Sequence, residues 1–162
     1  ASVNLIIPYL QILGGVGAML GVGGSLFEPD GTVTRAQVVA MLCRLDDQDD
    51  SSCAPAELTD LREDAYYTTA VNWAAAQGIV TGYADGTFRP DRAITRAEVA
   101  KLTNAVLNRS CDKNYVDTNK ASIKNFTDLP TSFWGDYEIM EAANAHDYNN
   151  NGSLETWTGL SK

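Results

Sequence analysis

Apolar positions recur at helical spacing in two kinds of segment along this chain. In "AYYTTAVNWAAAQG", residues 65–78, Tyr66, Ala70, Trp73 and Ala74 or Gln77 share one face. The pattern predicts a helix that stops at Gly78. In "ITRAEVAKLTNAVLNR", residues 94–109, Ile94, Val99, Leu102, Val106 and Leu107 form a second apolar stripe. Between them lies "GIVTGYADGTFRPD", where Asp85-Gly86 suits a tight turn and Pro90 breaks any regular element. The unit therefore reads helix, glycine-rich loop, helix.

The unit is repeated. Sliding the chain on itself by 61 positions sets Phe27-Glu28-Pro29-Asp30 on Phe88-Arg89-Pro90-Asp91. Thr34-Arg35-Ala36-Gln37 falls on Thr95-Arg96-Ala97-Glu98, and Val38, Met41 and Leu45 fall on Val99, Leu102 and Val106. A third unit opens at "NFTDLP", where Phe126-Thr127-Asp128-Leu129 matches Leu58-Thr59-Asp60-Leu61; Trp134 then falls on Tyr66. The match fails after that, so the third repeat is degenerate. Two connecting runs, "DDQDDSSCAPAE" and "SCDKNYVDTNKASIKN", read as solvated linkers. The repeats divide the chain at 1–50, 51–112 and 113–162.

Much of the repeated string is capping chemistry. Thr95 with Glu98, and Thr34 with Gln37, satisfy the capping-box rule, and Ile94 or Val33 can act as a hydrophobic staple. Arg96 and Arg35 are left over. A cation at the first helical position opposes the helix dipole. Two such placements suggest a use: an anion pocket built from Arg and free helix N–H groups. The competing assignment pairs each Arg with a carboxylate such as Asp60 or Asp128.

Charge and composition narrow the partners. A net charge of −9 over 162 residues argues against nucleic acid and anionic membranes. An anionic ligand would be held by local basic groups against the overall field. A single histidine, His146, leaves little room for His-based catalysis or a multi-His metal site. Cys43, Cys53 and Cys111 form no C-x-x-C pair; Cys43 and Cys53 are close enough in sequence to close a loop, or all three are thiols. Residues 1–27 carry no charged side chain. Pro8, Gln11 and several glycines speak against a membrane span there, and no basic flank marks a signal peptide. The register of the repeat makes this stretch a first helix and loop instead.

"GIVTGYADGTFRPDRAITRAEVAKLTNAVL" resembles an S-layer homology repeat. "LGVGGSLFEPDGTVTRAQVVAML" resembles a second copy, and "FTDLPTSFWGDYEIMEAANAHDY" the opening of a third. The resemblance implies an all-α fold of three helix–loop–helix repeats around a pseudo-threefold axis, with grooves between repeats. It implies a non-catalytic, secreted, cell-wall-binding module at the bacterial cell surface. The partner it implies is a secondary cell-wall polysaccharide bearing pyruvylated sugar, or modified peptidoglycan, and no cofactor. By motif, Thr34, Arg35, Gln37, Thr95, Arg96 and Glu98 would line grooves. Gly82, Asp85 and Gly86 would shape the loop beside the glycan, and Asp60, Asp128 and Trp134 would face the grooves. Tyr83 and Trp134 are the aromatic candidates for sugar contact, while Trp73 reads as core. The third repeat lacks T-R-A-E, and Gly23-Gly24 replace Ala84-Asp85 in the first, so two grooves at most look competent. A different class of reading makes the chain a self-assembling structural subunit that associates through residues 1–27.

One weaker signal remains. "DYNNNGSLE", 147–155, resembles part of a calcium loop, with Asp147, Asn149 and Asn151 at ligand positions, but Thr158 stands where an acid is expected. An Asn/Gly-rich surface turn is the preferred reading.

Overall fold

A computed structural model describes residues 27–46, 52–150, 152 and 154–161. The readings placed on residues 1–26, the first helix, the excluded membrane span and self-association, lie outside the described residues, as does Asn151. Five helices are described: α1 (Arg35–Asp46), α2 (Thr68–Ala76), α3 (Arg96–Val106), α4 (Lys113–Thr118) and α5 (Asp136–Ala143). A hairpin of β1 (His146–Asn150) and β2 (Glu155–Leu160) follows. The fold is mostly helical, and the hairpin corrects the all-α expectation. No helix among the described residues is long and apolar enough to cross a membrane. The chain forms two compact units, one ending at Arg96 and the other starting at Ala97.

In the N-terminal unit, α1 is buried from Arg35 through Cys43 apart from Gln37. A helix apolar on nearly every side has to be central to its unit. It packs against α2, which contributes Ala70, Val71, Trp73 and Ala74 to the core. Tyr67 is fully buried and Tyr66 is 60% exposed, so the expected stripe is shifted by one residue at its start. Trp73 is core, as its spacing indicated. Helix α2 ends as expected: Gly78 takes φ +70°, its N–H donates to Ala75 O (3.0 Å), and Ile79 N donates to Ala74 O (2.8 Å). That pair of bonds is a Schellman closure.

The repeat is visible in the backbone. Glu28 and Arg89, 61 positions apart, are both non-glycine residues with positive φ, 54° and 60°. Three residues on, Gly31 N donates to Glu28 O (2.9 Å) and Arg92 N to Arg89 O (3.2 Å). Helices α1 and α3 then start at equivalent positions.

In the C-terminal unit, α3 buries Ala97, Val99, Ala100 and Leu102, while Leu107 is 38% exposed. It closes on Asn108, which takes φ +51°; Asn108 N donates to Ala105 O (3.1 Å) and Arg109 N to Asn104 O (2.8 Å). The run read as a linker contains α4. Asp112 caps it by accepting from Tyr115 N (2.9 Å), and the same carboxylate accepts from Trp157 N (3.1 Å). Val116, Ile123, Met140 and Trp157 form a small core there, flanked by Tyr115, Leu129 and Tyr137. None of the three cysteines is in a disulfide. Burial, then the nearby Glu141 and Asp112, push the Cys111 thiol up to about 12, so it remains protonated.

Candidate functional site

The two copies of T-R-A-E/Q are placed very differently. At the first, the capping box forms in full: Gln37 N donates to Thr34 Oγ1 (3.2 Å), and Thr34 N donates to Gln37 Oε1 (2.9 Å). The remaining donors of the first turn are also used. Arg35 N donates to Arg92 O (2.9 Å), Ala36 N to Pro90 O (3.0 Å) and Val38 N to Thr34 O (3.1 Å). The anion pocket expected at this helix start is filled by carbonyls of the next repeat's loop. A short antiparallel bridge, Thr34 to Ala93, fixes the two segments side by side.

Arg35 itself is 8% exposed. Its Nε donates to Phe88 O (3.0 Å), and its guanidinium lies 4.9 Å from the Tyr83 ring centroid and 5.0 Å from that of Phe88. The arrangement is one of packing and cation–π contact within the loop.

That loop, 82–89, is held from both sides. Tyr83 N donates to Thr87 O (2.8 Å), and Gly86 N to Tyr83 O (2.9 Å). The Asp60 carboxylate accepts from Phe88 N and Arg89 N, both at 2.7 Å. Thr59 N donates to Gly86 O (3.0 Å). Gly82 is required: φ is +72°, and a Cβ there would meet Leu58 Cδ2 at 2.5 Å and Thr87 O at 3.0 Å. Tyr83, expected to meet sugar, has Arg89 stacked 4.0 Å from its centroid, and its hydroxyl accepts from Arg92.

Asp85 braces the exposed side of the loop. It accepts from Thr87 Oγ1 (2.6 Å) and Thr87 N (3.1 Å), and pairs with Arg89 Nη2 at 2.8 Å. The Thr87 hydroxyl, then Arg89, pull its carboxyl down from 3.8 to about 2. A depressed value means that the bracing is complete above 3.8 and is lost as pH falls through about 2. We therefore expect amide-exchange protection at Thr87 to persist to about pH 4 and to be lost as pH falls through about 2. Loss of protection above pH 5 would show that Asp85 is not the brace.

At the second copy, Arg96 opens α3, is exposed, and among the described residues makes no hydrogen bond or ion pair through its guanidinium. Thr95 is exposed beside it and Glu98 is half-buried. The segment carrying Trp134 lies on the first turns of α3. A Cβ on Gly135 would meet Ala97 Cβ at 3.5 Å, and Lys101 Nζ lies 6.0 Å from the Trp134 ring centroid. Trp134 is 57% exposed. Lys101 escaped the sequence reading, although its position four residues after Ala97 puts it on the same helix face. Asp128 is exposed and, among the described residues, accepts no hydrogen bond. Asp147 and Asn149 lie on β1, an extended strand, where a calcium site needs a coiled loop.

These features define a mostly helical fold in which carbonyls of the loop before α3 close the start of α1. Residues 57–100 match the family model described as "S-layer homology domain". The chain is 34% identical over 92 residues to a "Cellulosome-anchoring protein" of Acetivibrio thermocellus, covering 55% of this chain and 21% of that protein. It is 38% identical over 80 residues to "Cell surface glycoprotein 1" of the same organism, covering 47% of this chain and 3% of the relative. An "Amylopullulanase" of Thermoanaerobacterium thermosulfurigenes is 32% identical over 94 residues, 57% of this chain and 5% of the enzyme. The chain thus spans about a fifth of the first relative and far less of the other two.

Proposed function

We propose that this chain is a non-catalytic module that anchors a surface protein to an anionic polymer of the cell wall. The family match at 57–100 supports the anchoring role, and so do relatives named for anchoring and for the cell surface. The likeness to an amylopullulanase covers 5% of that enzyme and supports no catalytic role here. Three repeats, at 1–50, 51–112 and 113–162 around a pseudo-threefold axis, are the arrangement we infer from the resemblance. The observation that carries the reading is the exposure of Arg96 at the first position of α3 inside the matched segment.

Arg96 presents a planar fork suited to a carboxylate, such as that of a pyruvylated sugar. Within the C-terminal unit, Trp134 offers a flat apolar face for a sugar ring, with Lys101 Nζ 6.0 Å from its ring centroid. Thr95 and Glu98 frame the same helix start. Asp60, Gly82, Asp85 and Gly86 serve by shaping the loop, and Thr34, Arg35 and Gln37 by fixing α1 to it. A charge-assisted hydrogen bond is worth about 1.5–3 kcal/mol, so Arg96→Ala should weaken retention on purified wall sacculi by about tenfold or more. Because Arg96 is exposed, the thermal midpoint should not move. Retention equal to the parent at low salt would sink the proposal.

A further inference from the structure

Outside the wall-binding face, the C-terminal unit encloses a cluster of charged side chains that this function does not use. Glu141 from α5, His146 from β1 and Glu155 from β2 converge, each with its side chain 2% exposed or less. Each has one polar atom committed to the fold and one turned inward. Glu141 Oε2 accepts from Trp157 Nε1 (3.2 Å), which leaves Oε1 inward. Glu155 Oε1 accepts from Ser110 N (3.2 Å) and Arg109 Nε (2.6 Å); Oε2 is buried and accepts no hydrogen bond from any described residue. His146 Nδ1 lies 2.6 Å from Asn144 O, and Nε2 lies 2.8 Å from Arg109 Nη2. A guanidinium only donates, so Nε2 is the acceptor and Nδ1 carries the hydrogen given to Asn144 O.

This is the donor arrangement of a metal-binding histidine, its second nitrogen tied to a backbone carbonyl. The inward atoms are correctly spaced. His146 Nε2 is 3.4 Å from Glu141 Oε1 and 3.6 Å from Glu155 Oε2. Tetrahedral ligands at about 2.0–2.1 Å from a zinc ion stand about 3.4 Å apart. All three atoms lie within 4.8 Å of one another. Two carboxylates against one guanidinium also leave the cage one positive charge short.

Arg109 Nη2 stands where a cation would, 2.9 Å from Glu141 Oε1. It enters from the rim, with 24% of its side chain exposed, and its guanidinium already lies 4.0 Å from the Tyr148 ring centroid. We propose that Glu141, His146 and Glu155 form a binding site for a divalent transition-metal cation of the zinc class, which exchanges with the terminal amino group of Arg109. The displaced guanidinium keeps Tyr148 as its resting surface. The metal ties α5 to both strands of the hairpin.

The test is a titration of the full chain with zinc chloride at pH 7 against a chromophoric chelator, with the thermal midpoint read in parallel. One equivalent should bind and raise the midpoint. Glu155→Gln, which keeps the side-chain shape, and His146→Ala should each weaken binding by about tenfold or more. Arg109→Ala should strengthen it by removing the competing cation. No binding to the parent chain would overturn the proposal, even if Arg109→Ala binds. Equal binding by the parent and Glu155→Gln would also overturn it, because surface acids or the three cysteines, intact in that variant, would then be the ligands.

Discussion

Asp60→Ala should cost the N-terminal unit about 3 kcal/mol, a fall of about 10 °C in thermal midpoint. One carboxylate holds two backbone donors, Phe88 N and Arg89 N, at 2.7 Å each. Phe88 is fully buried, so its N–H cannot turn to water once the acceptor is gone. Arg89 sits at φ +60°, a conformation that an isolated residue rarely adopts and that this carboxylate helps to hold. Asp60→Asn retains one acceptor oxygen and should lie about halfway between the parent and the alanine variant. Urea unfolding of the three chains measures this; an Asp60→Ala loss below about 1 kcal/mol would mean that the loop holds itself.

Arg35→Ala should be nearly as damaging, at about 2–4 kcal/mol. The substitution strips the Phe88 carbonyl of its donor and removes a cation lying against two aromatic rings. It also leaves a gap in a helix start that is buried around it. Lysine is a poor replacement, because the bond to Phe88 O comes from Nε of a planar fork. The contrast with Arg96 is the sharp part. Arg35→Ala should lower the thermal midpoint and leave wall retention intact at temperatures where the chain is still folded. Arg96→Ala should do the reverse. If both act on retention at an unchanged midpoint, the two arginines share one role and the interior assignment of Arg35 fails.

Short-range rules were legible in the sequence, and long-range partnerships were not. The capping box of Thr34 and Gln37 spans three residues and follows from local geometry. Gly78 as a helix stop follows in the same way. The register of the repeat was legible too, because 61-residue spacing aligns whole strings. Arg35 looked like a ligand residue because its partner, Phe88 O, lies 53 residues away. Asp60 likewise reaches 28 and 29 residues to its donors. The positive φ at Glu28 and Arg89 had no glycine to announce it. The hairpin was hidden by an Asn-rich string that reads first as a surface turn and only weakly as a calcium loop, with no alternation to mark two strands. His146 was set aside as a lone histidine, since the glutamates that meet it come from α5 and β2.

The helix start at Arg35 carries a consequence for how the chain is made. Two of its first donors are satisfied by Pro90 O and Arg92 O, and its lead-in pairs with Ala93. A polypeptide emerges from its N-terminus, so the Arg35 and Ala36 donors of α1 wait for some fifty further residues before their acceptors exist, although the local Thr34–Gln37 box can already form. A nascent chain halted between Asp46 and Pro90 carries an apolar helix with an open end. The first repeat is thus a client of the second during synthesis, and the order of folding runs against the order of the chain.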